Sequence, residues 1–231
     1  MRLGSTMPNF YANTTHGPIQ FYDWLGDAWC VLFSHPADFT PVCTSELSRI
    51  AEKAYEFTRR GVRLLGHSCD SLEDHKAWVK DIRSYSSRIP VEFPYPIIAD
   101  ERRELAVRLD MIDESDIYNP EAALTVRALY IIGPDRKVKM AMFYPNSTGR
   151  SVDEILRVVD SLQLVNKVKV VTPVDWKMGD EVMVEPDVPQ AALPKLFPRG
   201  VETIKMPSGM AYVRTTSDYL HSSECWDGLL M

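Results

Sequence analysis

One stretch decides how this chain folds: Ser34-His35-Pro36-Ala37-Asp38-Phe39-Thr40-Pro41-Val42-Cys43-Thr44-Ser45-Glu46. It follows Trp29-Cys30-Val31-Leu32-Phe33, a short apolar, β-prone run that predicts a buried strand. Behind it, apolar residues recur at helical spacing and predict an amphipathic helix over about residues 42–59: Leu47, Ile50, Ala51, Ala54 and Phe57. The pattern is therefore strand, proline-bounded loop and helix, with Cys43 in the first turn of the helix.

The position of Cys43 indicates a reactive thiol. A free thiol is mostly protonated at neutral pH, and the unpaired amides of a helix N-terminus favour its anionic form. Pro36 and Pro41 fix the loop that approaches the cysteine, and Pro41 suits a first helical turn. The sequence thus places the chemistry at Cys43.

The residues around this cysteine resemble a known active site. Pro36-x-x-x-Thr40-x-x-Cys43, with Arg127 in Leu124-Thr125-Val126-Arg127, is similar to the peroxiredoxin motif. A longer stretch resembles the one-cysteine, peroxiredoxin-6 branch of that family: His35-Pro36-x-Asp38-Phe39-Thr40-Pro41-Val42-Cys43-Thr44. The likeness extends to about residue 216 through three further segments: Asp175-Trp176-Lys177-x-Gly179-Asp180, Leu196-Phe197-Pro198-x-Gly200 and Pro207-Ser208-Gly209.

Short apolar strands alternate with amphipathic helices, which predicts an α/β fold. The expected elements are a strand at Val62–Gly66, a helix at Leu72–Tyr85 capped by Asp70 or Ser71, a strand at Ile97–Ala99, a short helix at Glu101–Leu109, a hairpin of Leu129–Ile132 with Lys137–Tyr144, and a helix behind the capping box Ser151-x-x-Glu154. After about residue 166 prolines accumulate and helical periods become few. The resemblance implies a thioredoxin-like core at 1–165 and a smaller C-terminal peroxiredoxin domain at 166–231.

The resemblance also implies the role of each site residue. Cys43 attacks the peroxide, Thr40 hydrogen-bonds the peroxide or the thiolate, Pro36 shields the sulfur, and Arg127 stabilises negative charge on sulfur and on the leaving oxygen. Three residues support them: Glu46 holds an arginine, Arg150 is the second cation, and His35 lines the pocket. The expected function is a thiol-dependent peroxidase that reduces hydrogen peroxide and organic hydroperoxides through a sulfenic acid at Cys43.

Each residue also has an ordinary structural interpretation. Taken alone, Arg127 and Glu46 form a common ion pair, and Pro36 with Thr40 indicates only a turn. A single buried histidine such as His35 is more often packed or hydrogen-bonded than catalytic, so its role stays open. The spacing of Pro36, Thr40 and Cys43 together favours the catalytic interpretation.

Composition excludes several classes of function. The chain has 231 residues, 45% of them hydrophobic, which allows a substantial core, and its net charge of −6 argues against a nucleic-acid partner. No apolar run reaches the length of a membrane span or of a secretory signal, so a cytoplasmic protein is expected. The cysteines show no metal-ligand spacing, and neither metal nor organic cofactor is expected.

Recycling of the sulfenic acid is expected to need an external thiol. The resemblance implies a reductant such as glutathione and a homodimeric assembly, and no Val-Cys-Pro resolving motif is present. Cys30 is expected to be inert in its strand and Cys69 to pack at a strand end. Cys225, in the tail, is the most accessible second thiol, and its role as a resolving cysteine stays open.

Two other functions compete with the peroxidase. The branch includes members with a lipase-like Gly-x-Ser-x-Gly serine, but the corresponding segment is Gly26-Asp27-Ala28-Trp29-Cys30, and Tyr22 stands where the branch has histidine; only Asp135 is retained. A second near-match, Gly66-His67-Ser68-Cys69-Asp70, lacks the final glycine of a nucleophile elbow. No ester hydrolysis is therefore expected at either segment, whereas a holdase or relay role is compatible with the sequence.

Overall fold

Seven strands form one mixed sheet in the N-terminal part of the computed structural model, which describes residues 1–119 and 124–221. The strands are β1 (Tyr11–Thr14), β2 (Gly17–Gln20), β3 (Trp29–Ser34), β4 (Val62–Ser68), β5 (Ile97–Ala99), β6 (Arg127–Ile132) and β7 (Val138–Tyr144). Their spatial order is β2-β1-β5-β4-β3-β6-β7, with β3, β4 and β5 parallel and all other pairs antiparallel. The predicted strand at Trp29–Phe33 and the predicted hairpin are both present, whereas the β1–β2 hairpin was not predicted.

Seven α-helices accompany the strands in the described residues. They are α1 (Phe21–Leu25), α2 (Pro41–Glu52), α3 (Ala54–Thr58), α4 (Leu72–Tyr85), α5 (Glu104–Arg108), α6 (Val152–Lys167) and α7 (Leu193–Leu196). Short 3₁₀ turns lie at Glu114–Asp116, Gln190–Ala192 and Asp218–His221. Within this part of the chain, none of the helices is long and apolar enough to cross a bilayer.

Two helices differ from their predictions. The helix expected over 42–59 is interrupted at Lys53, whose backbone leaves the helical region (φ −96°, ψ 7°), so α2 and α3 are separate. The helix expected over 101–109 begins only at Glu104, because Arg103 has a left-handed backbone (φ 62°). In α4 the prediction is confirmed: Ser71 is the cap, and its side chain accepts the Asp74 N–H at 3.1 Å.

The core of the N-terminal part is centred on β3 and β6, all of whose residues are buried. Continuous apolar strands of this kind belong in the centre of a sheet covered on both faces. One face packs residues of β3 and β6 against the N-terminal segment and α5, among them Leu32, Tyr130, Met7 and Leu105. The α/β class predicted from the sequence is confirmed.

The chain divides into two compact units, Met1–Val152 and the part that begins at Asp153. The second unit contains a four-stranded antiparallel sheet in the order β10-β11-β9-β8, from β8 (Val170–Val171), β9 (Val182–Val184), β10 (Glu202–Thr203) and β11 (Arg214–Thr216). Its core is a separate apolar cluster that includes Trp176, Phe197 and Tyr219. The domain boundary predicted between 165 and 166 stays a prediction.

Candidate active site

The Cys43 thiol lies in the first turn of α2. Pro41 is the first residue of the helix and Thr40 precedes it as the N-cap. The first backbone bond of the helix runs from the Thr44 N–H to the Thr40 carbonyl at 2.9 Å, so the amides of Val42 and Cys43 precede the hydrogen-bonded ladder. Cys43 is fully buried, which protects its sulfur from bulk water.

Sheet topology brings Arg127 to this cysteine. β3 ends at Ser34, and the neighbouring antiparallel β6 begins at Arg127, so the last residue of one strand lies beside the first residue of the other. The Ser34 hydroxyl links the two strands there: it donates to the Val126 carbonyl at 2.6 Å and accepts the Ala128 N–H at 3.0 Å. Both residues that flank Arg127 are therefore held by the last residue of β3.

The Arg127 guanidinium is oriented by three acceptors. One Nη1–H group lies 3.4 Å from Cys43 Sγ and 2.8 Å from Glu46 Oε2, while Nε and Nη2 donate to the Asn146 carbonyl at 3.2 and 2.8 Å. Arg127 is only 2% exposed. A buried cation held in this way presents positive charge directly to the sulfur.

Glu46 joins the two arginines of the site. It follows Cys43 by one helical turn, and its carboxylate accepts the Arg150 backbone N–H at 2.6 Å and two Arg150 guanidinium bonds at 3.0 Å. Burial alone would raise the pKa of Glu46, but Arg150 and then Arg127 outweigh it and hold that pKa below its ordinary value. Arg150 also donates to the Ala128 carbonyl at 2.7 Å, so it braces both Glu46 and β6.

Thr40 and Pro36 belong to the loop before α2. The Thr40 hydroxyl donates to the Ala37 carbonyl at 2.8 Å, which leaves its oxygen lone pairs as acceptors. Pro36 is buried, and Phe39 has a left-handed backbone (φ 54°), an uncommon conformation for a bulky residue. Next to Thr40 lies a groove of about 480 Å³ lined by Phe39, Pro41, Thr44, Trp78, Asp81, Ser84 and Tyr85.

His35 is not bonded to Cys43 in the described structure; it faces Asp38 instead. Its Nε2 lies 2.7 Å from Asp38 Oδ1, and His75 Nδ1 lies 2.6 Å from Asp38 Oδ2. These three side chains could hold a metal ion by composition. Their spacing fits hydrogen bonds better, because ligands at the usual zinc distances would lie about 3.3 Å apart.

The other described thiols differ from Cys43 in environment. Cys30 is fully buried in β3, and burial raises its pKa well above the ordinary value. Burial and then the Asp100 carboxylate raise the pKa of Cys69 to about 12. Both are free cysteines with little tendency to ionise, and Cys225 lies outside the described residues.

The positions of the lipase-like site hold no nucleophile and base. Ala28 has no reactive group, and the Tyr22 hydroxyl donates to the Met7 carbonyl at 2.7 Å while Arg136 lies over its ring. Asp135 pairs with Lys139 at 2.6 Å. A Ser-His-Asp mechanism therefore has two of its three members replaced.

Sequence reasoning missed three residues of the site. The Asn146 backbone orients Arg127, and Asp38 of the loop forms a buried pair with His75 of α4. Asn146 acts through a carbonyl group that every residue has, so its side chain carries no signal. Asp38 lies within the motif, but its partner His75 is 37 residues away in the chain and no local pattern joins them.

Comparison with known proteins identifies the family. The model of the AhpC/TSA family matches residues 3–141, and the C-terminal domain of 1-Cys peroxiredoxin matches residues 161–197. Peroxiredoxin-6 of Gallus gallus is 55% identical over 93% of this chain and 96% of its own length, and that of Homo sapiens is 54% identical over the same shares. The chain belongs to the peroxiredoxin family.

Solved peroxiredoxin structures confirm the thioredoxin-like fold with its C-terminal domain. A cysteine-to-serine mutant of Peroxiredoxin 6 of Arenicola marina has a TM-score of 0.89 and 49% identity, and covers 94% of this chain and 98% of its own. The yeast mitochondrial 1-Cys peroxiredoxin, described with a thiol resolving mechanism via glutathione/thioredoxin systems, has a TM-score of 0.83 and 39% identity, with 94% and 99% covered. As a peroxiredoxin of the one-cysteine, peroxiredoxin-6 branch, the chain is a thiol-dependent peroxidase.

Proposed function

We propose that Cys43 is the cysteine that reacts with peroxide in this peroxidase. The observation that carries the proposal is the 3.4 Å contact between Arg127 Nη1 and Cys43 Sγ, in a buried site where Glu46 and Asn146 fix the guanidinium. Neither of the other described thiols has such a cation hydrogen-bonded to its sulfur. Positive charge aimed at the sulfur favours the thiolate, which is the nucleophile.

The reaction is written in two stages. The Cys43 thiolate attacks the terminal peroxide oxygen, an S–O bond forms, the O–O bond breaks, and the leaving alkoxide or hydroxide takes up a proton; the products are a sulfenic acid and an alcohol or water. Two thiols then reduce the sulfenic acid: the first releases water and forms a mixed disulfide, and the second releases a disulfide and restores Cys43.

The neighbouring side chains serve the first stage. Arg127 stabilises charge on the sulfur and the leaving oxygen, and Thr40, whose hydroxyl proton is engaged by Ala37, accepts a hydrogen bond from the peroxide. Pro36 shields the sulfur. Glu46 and Arg150 hold Arg127 in place, and His35 lines the pocket wall.

The decisive experiment compares wild type with Cys43→Ser, using Cys69→Ser as the matched control. Peroxide consumption in the presence of a small thiol should disappear in Cys43→Ser and persist in Cys69→Ser, because a serine hydroxyl is not ionised at neutral pH. Circular dichroism establishes that both variants are folded. Activity that survives Cys43→Ser would assign the reaction to another residue.

We also propose glutathione as the external thiol. The yeast relative is described with glutathione and thioredoxin systems, which supports a search among these two reductants. Turnover with glutathione and its reductase, measured by NADPH consumption, should exceed turnover with thioredoxin and its reductase. The reverse order would replace glutathione with thioredoxin.

A homodimer in the cytoplasm completes the proposal. β7 is an outermost strand of the seven-stranded sheet. Only its first residue, Val138, pairs outward in the described chain, with Gly4 and Ser5, so the rest of this strand offers backbone groups to a second copy. The three cysteines within the described residues are all free, which supports a reducing compartment such as the cytoplasm. Light scattering should give twice the mass of one chain, and imaging of a tagged chain tests its location; a monomer or an organellar pattern would contradict the respective statement.

A further inference from the structure

Asp38, a residue of the loop that carries Thr40, lies between two buried histidines. Its two carboxylate oxygens contact different partners, His35 Nε2 at 2.7 Å and His75 Nδ1 at 2.6 Å. Both histidines are fully buried and Asp38 is 6% exposed. The three residues come from the loop after β3 and from α4, so their contacts join two elements.

The hydrogen bonds determine where the protons lie. His75 Nε2 is 3.0 Å from the Ile98 carbonyl, which can only accept, so this nitrogen carries a proton. His35 donates its Nε2–H to Asp38 Oδ1, and its Nδ1 has no hydrogen-bond partner in the described chain, as fits a neutral ring.

This cluster fixes the backbone that leads to the reactive cysteine. The Asp38 N–H donates to Asp70 at 3.1 Å, so both the backbone and the side chain of Asp38 are anchored. The next residue, Phe39, has a left-handed backbone, and the Thr40 hydroxyl is bonded to the carbonyl of Ala37. An unfavourable conformation of this kind persists only where its surroundings enforce it.

We propose that Asp38 and His75 are positioning residues for the peroxidase reaction: hydrogen bonds to the Asp38 side chain hold the loop of His35, Pro36 and Thr40 in the geometry that receives the peroxide. This inference rests on the proposed role of Cys43. Neither residue touches the sulfur. They act through the position of Thr40 and Pro36 relative to Cys43.

A positioning role predicts different effects on the rates of two reactions of the Cys43 sulfur. Alkylation by iodoacetamide needs a thiolate but no oriented peroxide, whereas reduction of peroxide needs both. Displacing oriented groups by about 1 Å costs on the order of 100-fold in rate. Loss of the Asp38 contacts should therefore lower the peroxide rate constant without a matching loss of alkylation.

The experiment measures both rate constants for Cys43 in wild type, Asp38→Ala and Asp38→Asn. Asp38→Ala should lower the ratio of peroxide to alkylation rate by at least about tenfold. Asp38→Asn should stay within about threefold of wild type, since its amide can donate to a neutral His75 Nδ1 and its oxygen can accept from His35 Nε2. Should Asp38→Ala not fold, His75→Ala removes the contact from the other side and is expected to lower the ratio likewise.

A second buried pair supplies the control. His67 Nε2 lies 3.1 Å from Asp100, which also accepts the N–H groups of Leu105 and Ala106. Asp100→Ala removes these buried side-chain bonds and keeps the backbone bond by which the His67 carbonyl accepts the His35 N–H at 3.0 Å. It should destabilise the fold and leave the ratio unchanged. An unchanged ratio in Asp38→Ala, or an equal fall in Asp38→Asn, overturns the inference. A wild type whose Cys43 does not reduce peroxide would instead overturn the proposed function.

Discussion

At the scale of single residues, one guanidinium contacts a sulfur, a carboxylate and a carbonyl group. Within one rigid plane, Nη1 of Arg127 contacts both Cys43 Sγ and Glu46 Oε2, and Nη2 donates to the Asn146 carbonyl. Lysine carries the same charge as a single ammonium on a flexible chain and cannot satisfy all three acceptors in this geometry. Charge and geometry at this position can therefore be separated by substitution.

Arg127→Lys should reduce the second-order rate constant for peroxide by about 10²-fold, because a fixed donor to the developing charge is lost although the positive charge is kept. Competition against a fast peroxidase gives this constant directly. The control is Arg136→Lys, at a site where the guanidinium lies over Tyr22 instead of the sulfur. A rate within threefold of wild type, roughly a difference of 0.7 kcal/mol, would mean that charge alone is sufficient.

Glu46→Gln should destabilise the fold by about 3–5 kcal/mol, because two buried guanidinium groups lose the carboxylate that compensates them. Glu154→Gln, which breaks a partly exposed pair with Arg157, should cost no more than about 1 kcal/mol. Urea unfolding of the two variants measures both values. Equal costs would indicate that burial of the Glu46 network contributes nothing beyond a surface pair.

At the scale of secondary structure, the site lies where the first turn of α2 packs against the end of β3 and the start of β6. β3 and the start of α2 were predictable, because apolar runs and proline placement are local signals. Arg127 could be assigned to the site only from the family resemblance, because it lies 84 residues from Cys43 in the chain and no local pattern links the two. The break at Lys53 and the β1–β2 hairpin were missed because the periodicity of 42–59 is continuous and Gly17–Gln20 is short and mixed.

The turn between α1 and β3 should have no esterase activity. It holds Ala28, while Tyr22, which would have to act as the base, uses its hydroxyl on the Met7 carbonyl. Release of fatty acid from phospholipid vesicles should be undetectable, and Cys43→Ser serves as a control for any indirect effect of the peroxidase. Acyl release that persists in Cys43→Ser and disappears in Asp135→Asn would refute this expectation.

At the scale of the whole molecule, stability should fall on acidification in two ranges. Burial lowers the pKa of His35, so below about pH 6.5 the unfolded chain binds a proton that the folded chain does not, and folding loses free energy. Glu46 and Asp38 also have lowered pKa values, which removes further stability as the pH falls below about 4.5. The urea concentration at the unfolding midpoint should decrease as the pH is lowered from 8 to 4, most clearly below pH 6.5. A midpoint that increases as the pH is lowered from 7 to 5.5 would contradict this prediction.

Recycling is also a property of the whole molecule, because it depends on where every thiol lies. Cys30 is locked in the central sheet, and Cys69 is half-buried with a raised pKa, so neither is suited to attack a sulfenic acid at Cys43. Cys225 is outside the described residues, and a disulfide with it would need the two Cα atoms within about 7 Å.

We therefore expect a one-cysteine cycle. After one equivalent of peroxide, non-reducing mass analysis should find most molecules with a trappable sulfenic acid at Cys43, and Cys225→Ser should behave as wild type does. A stoichiometric disulfide between Cys43 and Cys225, within or between chains, would make the tail part of the catalytic cycle. In that case the external thiol would attack this disulfide instead of the sulfenic acid. Cys225→Ser would then change the dependence of the turnover rate on thiol concentration.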